Sequence, residues 1–257
     1  MVRCGLSLPP ADLALGASSH SGEERHVRRV RELLHQAGLT TADLACPPSL
    51  PLSDDASGAV IRAGGGPSPE QMNCSGKHTA MLLTCLVSGW PTDGYLAPDH
   101  PLQVALRATT EDLTGSPTAA VGIDGCGAPV FAVTLSGLAN AFTRLVRAEP
   151  GSPERSVADG MRAHPGLVGG AGRDVTRLME GVPGLLAKDG AEGVYAAAMS
   201  SGAAIAIKVD DGAGRARVPV MVRELRRLGA GGAVLDELAE EPVLGGGRPV
   251  GSVQVAY

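Results

Sequence analysis

The amino-acid sequence predicts an α+β domain. Helical-spaced apolar residues sit mostly in the middle of the chain, and β-branched and alternating runs cluster toward its C-terminal end. The 36 glycines and 19 prolines are spread through all 257 residues, so they punctuate folded structure rather than mark a disordered tract.

In chain order, residues 11–17 form a short apolar segment that runs into a polar turn, Ser18-Ser19-His20-Ser21-Gly22-Glu23. A helix over about 23–36 follows, with Val27, Val30, Leu33 and Leu34 as its stripe and Ala37-Gly38 as its stop. Ser21 and Glu24 have capping-box spacing. Residues 46–68, rich in Pro, Gly, Ser and Asp, read as a loop with one brief extended piece. Asn73-Cys74-Ser75-Gly76-Lys77-His78 opens a second helix, with Met81, Leu82, Cys85 and Leu86 as its buried face and Gly89 as its end.

Pro98-Asp99-His100-Pro101 turns into a helix that carries Leu102, Val104, Ala105 and Leu106. Residues 119–123 predict a strand ending at a tight turn, Asp124-Gly125-Cys126-Gly127-Ala128-Pro129. Residues 130–135 read as extended, 138–146 as helical and 150–153 as a linker. Residues 157–162 and 175–179 read as helical, and so, on a weaker pattern, does 191–199. Strands are expected at 203–209, near 217–220 and at 251–256, with Asp210-Asp211-Gly212 turning between the first two. There are no internal repeats.

Composition narrows the function. The net charge is −5 without a large basic block, which argues against nucleic acid. No apolar run is long enough for a bilayer, and no apolar leader follows Met1, so a cytoplasmic protein without a membrane partner is expected. There the five cysteines would be reduced and open to metal or catalysis. Aromatics are only 2 %, so the core must come from Ala, Val, Leu and Ile. Lysine occurs only at 77, 188 and 208, and an arginine cannot replace it as a neutral amine base.

Cys74 stands just before a helix start, where backbone N–H groups stabilise a thiolate, and Lys77 is near it. Cys126 lies between two glycines, with Asp124 two residues away. Two thiolates with nearby N and O donors suit zinc. Both sulfurs could equally be buried small hydrophobes, as Cys85 on its apolar face is expected to be. Cys4 and Cys46 carry no signal. Ser75-Gly76-Lys77 is no phosphate loop, because Gln71 stands where the first glycine is needed and His78 where Ser or Thr is needed. Segment 18–23 is either a helix cap or a nucleophilic serine in need of a base. Lys188 is a neutral general base if buried and an ordinary turn lysine if exposed. Lys208 fits a structural ion pair. His164-Pro165 and Gly172-Arg173-Asp174 are loop anchors or substrate contacts.

Taken together, several runs resemble the rhizobial-type, or class 3, L-asparaginases of the asparaginase II family. They are residues 17–23 with His26, 73–78, Asp99-His100-Pro101-Leu102-Gln103, 124–129, 161–165 and 188–195, in the right order along nearly the whole chain. The resemblance implies an antiparallel sheet flanked by helices, as in serine β-lactamases and glutaminases. It implies hydrolysis of the asparagine side-chain amide to L-aspartate and ammonia by serine–lysine chemistry, in a homodimer. On this sequence Ser19 and Lys188 would be catalytic. Cys74, Lys77 and Cys126 would hold Zn2+, and Asp124, Ser75 and Arg173 would meet the substrate, L-asparagine. Lysine must lose its proton to bind metal, and zinc makes that loss easier.

Two departures stand out. Family members carry a leading segment with a Ser-x-x-Lys pair, and none occurs here; Met1 aligns with an internal position. Residues 1–257 are therefore expected to be a single asparaginase II domain lacking its first strands, with Ser19 as either nucleophile or proton relay. Cys46-Pro47-Pro48 also lacks the family's cysteine-glycine and histidine pattern. The rival expectations are an inactive or weakly active fragment with an open sheet edge, and a β-lactamase or penicillin-binding-like acyl transferase. The missing Ser-x-x-Lys and Lys-Thr-Gly count against the latter.

Overall fold

A computed structural model of the chain describes residues 1–256. Helices α1 (Pro10–Gly16), α2 (Glu24–Gln36), α3 (Asp54–Arg62), α4 (Ser75–Ser88) and α5 (Pro101–Thr114) come first. A short hairpin, β1 (Val121–Ile123) with β2 (Pro129–Phe131), follows. Then come α6 (Leu135–Arg147), α7 (Pro153–Ala163), α8 (Pro165–Val168) and α9 (Asp174–Gly181). The main sheet is β3 (Leu186–Asp189), β4 (Val194–Ala198) and β5 (Ala204–Lys208), antiparallel with β4 in the middle. Helices α10 (Arg217–Arg227) and α11 (Ala233–Glu237) precede an exposed hairpin of β6 (Glu241–Gly245) and β7 (Arg248–Val253). This is an α+β fold with small antiparallel sheets flanked by helices. Among the described residues, no helix is long and apolar enough to cross a membrane.

The core has two parts. One packs α7, α9 and α10 against β3 and β4 through Met161, Val175, Leu178, Leu186, Met221, Val222 and Leu225. The other joins α2, α4 and α5 through Val30, Leu33, Leu34, Met81, Leu82, Cys85 and Leu102. Burying each such side chain contributes about 1.5–3 kcal/mol. Helix α1 bridges the two, with Ala14 in the first part and Leu15 in the second. The chain leaving α1 therefore emerges at the seam between them.

Several local expectations change. Residues 191–199 hold strand β4, not a helix. Tyr195, Ala196, Ala197 and Ala198 are all buried, so the run lacks the alternation that marks a half-exposed strand. Residues 217–220 begin helix α10 rather than a strand. Val218, Met221, Val222 and Leu225 face the core at helical spacing, a period that a four-residue window cannot reveal. The loop expected at 46–68 contains α3, whose start is capped by Ser53 Oγ accepting from Ala56 N–H at 3.3 Å. Strands β3 and β6 were not foreseen. Residues 150–153 are a tight turn between the packed helices α6 and α7, not a domain linker. Extension after Pro129 stops at Phe131, because Thr134 caps α6. Leu86 and Val104 lie on exposed faces. Helix α2 is boxed by Glu23 with His26, while Ser21 Oγ bonds Gly169 O at 2.9 Å.

Candidate active site

The polar turn after α1 is an extended segment fixed on three sides. Ser19 N–H donates to Val168 O, His20 N–H to Asn73 O, and Ser53 N–H to Ser21 O, at 3.2, 2.9 and 2.9 Å. Gly22 is required here. Its φ is +70°, and a Cβ would stand 2.7 Å from Gln71 O. Ser19 is half-buried and faces a cavity of about 1010 Å³.

Lys188 comes from β3, where pairing with Ala196 of β4 sets its position. Its Nζ lies 2.9 Å from Ser19 Oγ and 2.5 Å from Asp189 O. Burial holds its pKa below the ordinary lysine value, although the Asp189 carboxylate works against that. Asp189 is itself buried. Burial favours its neutral form, but Lys188, Arg173 and Arg217 together hold it below the usual carboxylate range. Arg173 binds the Asp189 carboxylate with one nitrogen, and with the other donates to Ser19 O at 2.8 Å.

The same cavity is lined by Cys74, Lys77, Asp124 and Cys126. Cys74 stands at the N-cap position of α4 without a side-chain capping bond, and Cys126 sits in the β1–β2 turn, where Gly127 has φ +87°. The two sulfurs and an Asp124 oxygen lie within 4.8 Å of one another, the one such cluster among the described residues. Lys77 Nζ is 3.2 Å from Cys126 Sγ. The contact between the two sulfurs, with burial adding to it, pushes the Cys74 thiol up, and the same contact draws the Cys126 thiol down. Burial lowers the Lys77 pKa, but the charges on Cys74 and Cys126 outweigh it and leave the ammonium favoured. Two sulfurs, an amine and a carboxylate form a compact four-donor set of mixed softness, which fits zinc once Cys74 and Lys77 give up their protons.

Of the residues singled out from sequence, Ser19, Arg173, Cys74, Lys77, Asp124 and Cys126 all line the cavity, and Lys188 reaches it through its contact with Ser19 Oγ. Ser75 does not line the cavity. It is fully buried, donates to Glu70 O at 2.9 Å and bonds His20 Nε2 at 2.9 Å, so it ties two loops together behind the wall. Cys85 lies in the core. Lys208 is exposed and donates to Val209 O. Sequence reasoning missed Asp189 and Arg217. The first was legible as an acid beside the lysine; the second was hidden by the strand expected at 217–220. The stacked pair His20 and His26, 4.8 Å between ring centres, was missed too.

A serine hydroxyl in hydrogen-bond reach of a desolvated amine, beside a cavity, has the geometry that a nucleophilic hydrolase requires. The class becomes specific on comparison. Residues 1–255 match the L-asparaginase II family, and the chain belongs to it. It is a hydrolytic enzyme of the asparaginase type, with a small-molecule amide as its substrate class. No curated relative matches the chain.

Proposed function

We propose that the enzyme is a class 3 L-asparaginase that hydrolyses the side-chain amide of L-asparagine by serine–lysine chemistry beside a zinc site. The observation that carries this is the 2.9 Å contact between Lys188 Nζ and Ser19 Oγ, with the lysine desolvated. Lys188, neutral, takes the Ser19 proton as Oγ attacks the amide carbon. The resulting ammonium returns that proton to the amide nitrogen as the C–N bond breaks, so ammonia leaves and an acyl-serine remains. Lys188 then takes a proton from water, whose oxygen attacks the ester, and aspartate is released as Ser19 regains its proton. Arg173, anchored to Ser19 O, holds the nucleophile's backbone and presents positive charge to the substrate carboxylate.

Cys74, Cys126, Lys77 and Asp124 would hold the zinc. When bound, the ion supplies a Lewis acid that clamps the two cysteine loops and orients substrate. We further propose a serine β-lactamase and glutaminase-type fold, a homodimer and a cytoplasmic setting, the last supported by five unpaired cysteines.

Ammonia release from L-asparagine by Ser19→Ala and Lys188→Met tests the mechanism. Both should lose about a thousandfold or more of kcat. Wild-type rates in both would remove the couple from the chemistry.

A further inference from the structure

Arg217, at the first turn of α10, has no role in the steps above, yet it reaches their centre. Its Nη2 lies 3.3 Å from Asp189 Oδ2, its Nη1 donates to Gly190 O at 3.0 Å, and its guanidinium sits 5.7 Å over the Tyr195 ring. Arg173 binds the same Oδ2. The other oxygen, Oδ1, faces Lys188 Nζ at 3.4 Å. One buried carboxylate is thus divided, with two guanidiniums on one side and the amine on the other. A carboxylate left alone beside a buried amine would hold it protonated, and a protonated amine cannot take the serine proton.

We propose that Arg217 is a positioning residue which, with Arg173, occupies the Asp189 carboxylate and so leaves the Lys188 amine free to act as base. The proposal rests on the serine–lysine reading. The charged and titratable groups around Lys188 are few. Asp189 comes from its own strand, Arg173 from the segment before α9, Arg217 from α10, and Cys74, at longer range, from the start of α4. Asp174 of α9 lies 3.8 Å from Arg217 and competes for it. Tyr195 of β4 stays a neutral phenol, its pKa pushed up by burial.

The chain has lysines only at 77, 188 and 208, so protein carrying 13Cε-lysine gives three resolvable signals, and Lys188→Met identifies the one that matters. Arg217→Gln should raise the Lys188 titration midpoint by about one pH unit, and Asp189→Asn should lower it by a similar amount. Arg217→Lys, which keeps the charge, should stay near wild type. The acid limb of the kcat/KM profile should move the same way as the midpoint in each variant. A purely structural role for Arg217 moves rates or stability without this opposed pair of shifts. If Arg217→Gln does not fold, Asp189→Asn and Arg217→Lys carry the test. Unmoved midpoints in an active enzyme overturn the role of Arg217 alone. Moving midpoints in a wild-type chain that releases no ammonia at any pH overturn the serine–lysine reading, and the role of Arg217 with it.

Discussion

Gly76→Ala separates local propensity from packing by the sign of its effect. Gly76 lies in the first turn of α4, and a glycine in a helix is worse than alanine by about 1 kcal/mol, so propensity alone expects the change to stabilise. The tertiary structure says the opposite. A Cβ at Gly76 would stand 2.4 Å from Leu15 O and 2.9 Å from Leu15 Cγ. The oxygen belongs to the last turn of α1 and cannot rotate away, so α1 and α4 must part by more than half an ångström to reach even 3.0 Å. Such overpacking costs about 1–3 kcal/mol. Set against the propensity gain, the net loss is about 0–2 kcal/mol, which lowers Tm by up to roughly 8 °C for a chain of this size and leaves no net stabilisation. The activity should fall further than the stability. Leu15 O also accepts from Ser18 Oγ at 2.6 Å, so displacing it moves the residue next to Ser19, while Cys74 and Lys77 flank the glycine on the other side. Calorimetry and ammonia release on the same preparation measure both. A Gly76→Ala enzyme with raised Tm and unchanged kcat would refute the packing argument.

Two further predictions concern groups with opposite duties. Cys85→Ala should lower stability by about 1–2 kcal/mol through lost core volume and leave zinc content and kcat alone, whereas Cys126→Ser should abolish zinc retention; a full equivalent of metal by mass spectrometry in Cys126→Ser would count against the site. His20 and His26 are both held below the ordinary histidine value, chiefly by burial. Their Nδ1 atoms accept from Gly22 and Glu23 N–H at 3.1 and 3.2 Å, so both rings are neutral in the fold. The unfolded chain takes up these protons first as pH falls through about 6.5, so stability should be full above that pH and decline below it by up to about 1.4 kcal/mol per pH unit per ring, until the folded-state pKa values are reached. Urea unfolding at pH 7.5 and 5.5 checks this, and equal midpoints would mean that the rings are not held neutral.

The helices with one exposed face were legible before any coordinates. In α2 the spacing of Val30, Leu33 and Leu34, and in α4 that of Met81, Leu82 and Cys85, record the buried stripe directly, because one side of each helix meets water. The turn ending at Pro129 was legible for a similar reason, since Gly127 answers a backbone need that few other residues meet. The segments that bring Ser19 and Lys188 together were not. Strand β4 is apolar on both faces and so carries no period, and Lys188 reads as a turn residue unless its own strand, β3, is known to pair with β4.

Residue chemistry was therefore determined by the sequence alone: a serine-rich turn, an unusually small set of lysines, and two cysteines with a lysine and an aspartate close by in the chain. Which of these groups meet was decided only by tertiary structure. Ser19 and Lys188 stand 169 positions apart, and Asp189 becomes a shared counterion only because α10 and the start of α9 each bring a guanidinium to it. Such contacts depend on how the two halves of the core dock across α1, and no periodicity along the chain encodes that docking, because it is the sum of many small packing contacts rather than a local rule.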